Sequence, residues 1–216
     1  MMYNPKIHHR RSIRLKGYDY SKAGAYFITI CCDDMDLKFG TIDTPDRNNS
    51  DAVVKLNEFG HIAYSEWAKL PQRFSDVELD VFQIMPNHVH GIIVLSTTNN
   101  IVGATIAVAP NHTGNDDTVA PNKKGNDDGG DRAGASPAPT IGNIIGAYKS
   151  LVANGCLELF KNSIAIDKMH ENENMGKIWQ RNYHEHIIRN EQAYRIISKY
   201  IIDNPKKWKE DKFFKM

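Results

Sequence analysis

His88 and His90 flank a single apolar residue in the run Met85-Pro86-Asn87-His88-Val89-His90-Gly91. On a β-strand, residues two apart point to the same face, so the two imidazoles project together while Val89 points to the other side. Neutral imidazole is a common metal ligand, and two on neighbouring same-face positions make a ready pair. Gly91 lets a backbone or a substrate come close. A second pattern lies in Ile196-Ile197-Ser198-Lys199-Tyr200-Ile201-Ile202-Asp203-Asn204. There Tyr200 and Asn204 are four apart and share a helix face, which continues through Ile196, Ile197 and Ala193 and so looks toward a core. A phenol can act as a nucleophile, and an inward-facing amide at a helix end needs a partner, for which a metal ion is one candidate. Each segment alone also has a plain structural reading: histidines facing solvent at a strand start, and a core tyrosine followed by a helix-capping asparagine.

The elements that must position these residues can be read from periodicity. Residues 25–32 are aromatic and β-branched and predict a first strand. Gly40 to Ser50 reads as turn and loop. Asn57 is placed to cap a helix running to about Phe74, with Ile62, Ala63, Trp67 and Leu70 at helical spacing. A β-rich run covers 79–85, and Met85-Pro86-Asn87-His88 supplies the turn into an apolar strand from Val89 to Leu95. Thr140 can cap a helix to about Ala153, ended by Gly155. A strand is expected over Ile178 to Ile188, then a helix from Glu191 to about Asp203, capped by Asn190 and stopped by Pro205. This order predicts a compact α+β domain with helices packed on one face of an antiparallel sheet.

Between 97 and 140 the texture changes to Asn, Asp, Gly, Ala and Pro. Ala109-Pro110-Asn111-x-x-Gly114-Asn115-Asp116-Asp117 recurs as Ala120-Pro121-Asn122-x-x-Gly125-Asn126-Asp127-Asp128, without a full calcium-loop pattern. Such a stretch cannot bury enough surface to offset its ordering entropy, so 97–140 is expected to be a low-complexity, disordered insertion. It divides one domain made of 1–96 and 141–216.

Composition sets the class. The 216 residues are 41% hydrophobic and 25% charged, ordinary for a globular protein, with no run long enough for a membrane span and no leader pattern. Cys31, Cys32 and Cys156 suit reduced thiols and a cytoplasmic setting, and their spacing does not resemble a zinc site. Net charge is only +1, but Lys6, Arg10, Arg11, Arg14 and Lys16 cluster at one end, and Lys206, Lys207, Lys209, Lys212 and Lys215 at the other. Basic ends of this kind can neutralise phosphates, or simply be solvated tails.

Taken together, the separated motifs resemble those of the REP-associated tyrosine transposases, relatives of the single-tyrosine transposases of small bacterial insertion sequences. The run 85–91 matches the family's HUH signature, and Tyr200-Ile201-Ile202-Asp203-Asn204 its catalytic-helix pattern Tyr-Ile-x-x-Asn or Tyr-Ile-x-x-Gln. Residues 179–189 and the opening Arg-Arg-Ser-Ile-Arg-Leu-Lys-Gly-Tyr-Asp-Tyr at 10–20 also look like family segments. The resemblance covers nearly the whole chain outside 97–140. Many insertion-sequence relatives have Gln where this chain has Asn204, one methylene shorter but with the same amide oxygen.

The resemblance implies a ferredoxin-like HUH endonuclease fold and a bacterial enzyme of DNA transposition and recombination. It implies that His88, His90 and Asn204 hold Mg²⁺ or Mn²⁺ and that Tyr200 attacks a phosphodiester of single-stranded or hairpin DNA, leaving a 5′-phosphotyrosine. A phenol with an ordinary pKa near ~10 then needs help to lose its proton, and no base is evident in the sequence. Tyr194 and Tyr183 are weaker candidates, since Tyr194 has Ser198 rather than an amide four residues on. Arg10, Arg11, Arg14, His184, His186 and Arg189 are expected DNA contacts. Monomer and homodimer are both compatible with the sequence. The rival readings are a non-catalytic single-stranded nucleic-acid-binding module, a hydrolytic metal phosphodiesterase, and a replication initiator or relaxase of the HUH class.

Overall fold

The computed structural model describes residues 19–44, 52–96, 139–166 and 174–214. Runs rich in β-branched residues, with aromatics in the first two, build β1 (Gly24–Cys31), β4 (Val77–Ile84), β5 (His88–Leu95) and β6 (His184–Ile188). These form one antiparallel sheet in the order β4-β5-β1-β6. A separate hairpin joins β2 (Gly40–Asp43) to β3 (Val53–Leu56), so part of the segment read as loop from Gly40 to Ser50 is strand. Its Gly40 has φ +142, and a Cβ there would sit 2.2 Å from the Lys55 carbonyl oxygen, so glycine is required by the crossing backbone.

The α1 helix (Glu58–Ala68) starts at Asn57, whose side chain accepts from the Gly60 N–H at 2.9 Å, as the sequence predicts. It does not reach Phe74 unbroken. Pro71 lacks an N–H and clashes with the preceding turn, so the chain restarts as a short α2 (Leu70–Arg73). The α3 helix (Ile141–Ile166) is capped by Thr140, whose hydroxyl accepts from the Asn143 N–H. It runs through Gly155 rather than ending there. A Cβ at Gly155 would meet Ile62 Cγ2 at 3.0 Å, so this glycine allows close approach of α1 instead of terminating α3. The strand expected over Ile178 to Ile188 is shorter, with Trp179 making only an isolated bridge to Cys32. The α4 helix (Glu191–Asp203) begins at Asn190 as expected, the Asn190 side chain accepting from the Ala193 N–H at 2.8 Å.

The class is the expected α+β, but helices cover both faces of the sheet rather than one, because its strands carry buried apolar residues on each side. Tyr26, Ile28 and Ile30 of β1 and Val89, Ile93 and Leu95 of β5 pack against Trp67 of α1 and Ile144, Tyr148 and Val152 of α3. Trp67 and Tyr148 meet edge-on at 5.1 Å, and Tyr148 Oη donates to the Ala63 carbonyl. On the opposite face, Ala25, Ile92 and Ile188 pack with Ile201, Ala193, Tyr194 and Ile197 of α4. Strand alternation therefore sends Val89 to the main core and His88 and His90 to the α4 side. Gly91 lies on the main-core side, where a Cβ would be 2.4 Å from Trp67 Cζ2. The group that comes close to Gly91 is thus an indole of the core.

Arg10, Arg11 and Arg14 lie outside the described residues, as do 97–138 of the expected insertion and Lys215 of the basic tail.

Candidate active site

β5 opens from the tight turn Met85 to His88, closed by Met85 N–H donating to the His88 carbonyl at 2.8 Å. Its first two α4-side residues are His88 and His90, both buried, with ring centroids 4.4 Å apart. Each imidazole is oriented by a neighbour. Asn87 donates through Nδ2 to the Met35 carbonyl at 3.2 Å and the Phe213 carbonyl at 2.8 Å. This leaves Asn87 Oδ1 facing His88 Nδ1 at 2.8 Å, where it accepts a hydrogen bond. His88 is thereby held as the Nδ1–H tautomer with its Nε2 lone pair free, and that buried nitrogen has no hydrogen-bond partner. His90 Nδ1 pairs with Thr29 Oγ1 at 2.8 Å across the β1–β5 register. Burial depresses both pKa values, His88 to about 3 and His90 well below the usual imidazole range, with Lys212 adding to the first and His88 to the second. Both rings are therefore neutral near pH 7 and able to ligate a cation.

Tyr200 and Asn204 project from the same side of α4. Tyr200 Oη lies 3.1 Å from His90 Nε2, and the rings meet at 63° with centroids 5.1 Å apart. Phe27 buttresses the Tyr200 ring edge-on at 6.1 Å. Tyr200 is 36% exposed, at the border of the apolar stripe, so the phenol meets both the His pair and solvent. Ile196, expected on the inward face, is instead exposed, because the packed stripe runs Ala193, Ile197, Ile201. Asn204 is buried; its amide oxygen has no partner, and its Nδ2 donates to Asp211 Oδ2. Tyr183 packs against the main core and Tyr194 against the smaller one.

Sequence reasoning missed Asp211. After Pro205 the chain folds back through a 3-10 turn (Trp208–Glu210) over the His pair. Trp208 stacks on His88 at 6.0 Å, and Phe213 lies 4.8 Å from His88 and 5.9 Å from His90. This brings Asp211 Oδ2 to 3.2 Å from Tyr200 Oη, which donates to it. Burial first, then the Asp211 charge and this hydrogen bond, push the phenol pKa upward. The terminal segment is thus more than the solvated basic tail its lysines suggest. The available signal was Trp208, Phe213 and Phe214 among charges, since aromatic residues there need a surface to cover.

The ligand atoms of His88, His90 and Asp211 all lie within 4.8 Å of one another, so the cluster could hold a metal ion. His88 Nε2 and Asn204 Oδ1 are buried lone pairs without hydrogen-bond partners among the described residues, which suits them to a cation. His184 and His186 are exposed on the edge strand β6, on the same sheet face. His184 continues the cross-strand row His90, Thr29, His184, and neither histidine joins the cluster. Exposed Arg189 lines a groove with Tyr20, His186 and Asn190. No helix among the described residues is long and apolar enough to cross a membrane.

No protein-family model matches the chain. An uncharacterized protein of Haemophilus influenzae is 35% identical over 213 residues, covering 98% of this chain and 97% of the relative. The chain belongs to the family of that Haemophilus protein. The match runs nearly end to end in both members. Among solved structures, a REP-associated tyrosine transposase bound to a REP hairpin aligns with 90% of this chain and 74% of its own, at 16% identity and a TM-score of 0.46. A candidate transposase of Deinococcus radiodurans aligns with 89% of this chain and 97% of its own, at 13% identity and a TM-score of 0.33. These alignments are loose, and the chemistry of the site rests on its own geometry.

Proposed function

We propose that this protein is a metal-dependent nuclease-transferase that cuts and rejoins single-stranded DNA through Tyr200, a tyrosine transposase of the HUH type. The observation that carries the reading is the convergence of Tyr200 Oη on His90 Nε2, beside the unpartnered His88 Nε2 and Asn204 Oδ1. A structural histidine pair needs no phenol at 3.1 Å and no orphaned amide oxygen. The motif resemblance to the REP-associated tyrosine transposases supports the same assignment.

His88, His90 and Asn204 would hold Mg²⁺ or Mn²⁺, which when bound supplies Lewis-acid polarisation of the scissile phosphate. Tyr200 Oη attacks phosphorus, the tyrosyl O–P bond forms, and the bond to the 3′ oxygen breaks. The 3′ oxygen leaves with the bonding pair and takes up a proton, giving a free 3′-hydroxyl and a 5′-phosphotyrosine. A second 3′-hydroxyl reverses the step and joins strands, because the covalent link keeps the phosphodiester's energy. Tyr200 Oη, which is exposed, gives its proton to solvent as it attacks; the Asp211 carboxylate, which the sequence did not reveal, accepts its hydrogen bond beforehand. His184, His186 and Arg189 extend the site toward the sheet edge, and Arg10, Arg11 and Arg14 are proposed to grip the DNA backbone.

The test is cleavage of 5′- and 3′-labelled single-stranded hairpins with Mn²⁺ or Mg²⁺. The expected result is a covalent adduct on the downstream fragment, absent with EDTA and in Tyr200→Phe. Cutting that survives in Tyr200→Phe without an adduct would make water the nucleophile. Tight binding without cutting would leave a binding module.

A further inference from the structure

The C-terminal segment carries a carboxylate into the cluster, and that carboxylate already has work to do. Asp211 Oδ2 accepts from both Tyr200 Oη at 3.2 Å and Asn204 Nδ2 at 2.5 Å, while Oδ1 accepts from the Phe213 N–H at 2.7 Å. His88 Nε2 and the oxygen of the same Asn204 amide are both buried and without partners. The ligand atoms of His88, His90 and Asp211 lie within 4.8 Å of one another, the Asn204 amide is joined to Asp211, and Asp211 is the one carboxylate among the four. Hard divalent ions such as Mn²⁺ and Mg²⁺ favour oxygen donors and at least one carboxylate, so two imidazoles and an amide alone make a weak site.

We infer that Asp211 is a ligand of the cation and that it exchanges its hold on Tyr200 and Asn204 for the ion when the ion binds. The inference rests on the cation site of the proposed function and adds a residue and a coupling to it. Asp211 Oδ2 accepts from both the phenol and the amide. With the ion bound, the carboxylate turns to the cation, Tyr200 Oη is released toward solvent, and the segment from Pro205 to Phe214 is anchored through its own ligand. Six-coordinate ions would keep positions for phosphate oxygens beside four protein donors. The exposed Lys207, Lys209 and Lys212 make this anchoring readable, because trypsin can cut the segment only where it lifts from the body.

The experiment titrates the full-length chain with MnCl₂ by calorimetry, without DNA, and follows trypsin cleavage after Lys209 and Lys212 with and without Mn²⁺. Wild type should bind, and Asp211→Asn, which keeps the shape and an acceptor oxygen, should weaken Mn²⁺ by about tenfold or more. Mn²⁺ should slow cleavage in wild type and not in Asp211→Asn. Equal affinity in Asp211→Asn, with binding lost in His88→Ala, would overturn this inference and leave the proposed cation site standing. Cleavage in wild type that is indifferent to bound Mn²⁺ would overturn the anchoring independently of any variant. A wild type that binds no Mn²⁺ at millimolar concentration would overturn both readings.

Discussion

Tyr200 and His90 are 110 positions apart in sequence, yet the phenolic oxygen lies 3.1 Å from the imidazole Nε2. The contact exists because α4 crosses the sheet on the face that β5 alternation gives to its histidines, and Ile201 on the next helix position is buried against Ile92. Removing only the hydroxyl isolates its chemical role. Tyr200→Phe keeps the ring against Phe27 and should change stability by less than about 1.5 kcal/mol in a denaturant melt. Adduct formation with hairpin DNA should vanish, while hairpin affinity stays within a few-fold.

Asn87 sets which nitrogen of His88 is free. Its Nδ2 is committed to two carbonyls, so its oxygen must face His88 Nδ1. Asn87→Ala should lower Mn²⁺ affinity by about 10- to 100-fold in calorimetry. An unchanged affinity would mean that His88 does not ligate through Nε2.

The buried histidines also fix a pH dependence in metal-free protein. His88 is depressed from 6.5 to about 3, and His90 lies well below 6.5, both mainly by burial. Below pH 6.5 the unfolded chain takes up protons that the folded chain refuses, so stability rises with pH in this range. The stabilisation is complete above about pH 6.5 and is lost as pH falls toward 3, at up to about 1.4 kcal/mol per pH unit for each imidazole. Melting temperature in EDTA should fall over this window, and His90→Gln should flatten the curve.

Two glycines should respond oppositely to the same methyl group. Gly91→Ala drives a Cβ into Trp67 and Phe82 and should cost about 1–3 kcal/mol in urea unfolding. Gly146, inside α3, has nothing within 4 Å of its would-be Cβ. Gly146→Ala should stabilise by up to about 1 kcal/mol through helix propensity.

On the proposed function, the basic arm should be separable from the chemistry. Replacing Arg10, Arg11 and Arg14 by Ala should weaken binding to hairpins of every sequence. The slope of log affinity against log salt should shrink by about 0.7–0.9 for each phosphate that the arm no longer neutralises. Fluorescence anisotropy across a salt series measures both. An unchanged slope would remove the arm from the interface.

Much of the site was legible in the sequence because its pieces obey local periods. A period of about 2 put His88 and His90 on one face with Val89 opposite, and a period of about 3.6 put Tyr200 over Asn204. Asn190 and Pro205 bounded α4, and Asn57 and Thr140 marked two helix starts, because capping is chemistry between near neighbours. Local periods say which residues of one element face together, not which element covers them. So Ile196, placed inward by spacing, is exposed, and Gly155, read as a helix end, is a contact between α3 and α1. Gly91 faces Trp67 and not a ligand for the same reason. Asp211 lies beyond the last helix in a segment with no period, and reaches Tyr200 only because Trp208 and Phe213 bury themselves against His88. The sequence by itself determined the two histidines, the tyrosine and the amide as paired faces. Only the tertiary structure decided that the faces meet and that a carboxylate joins them, because the burial of apolar surface between distant segments has no local signature.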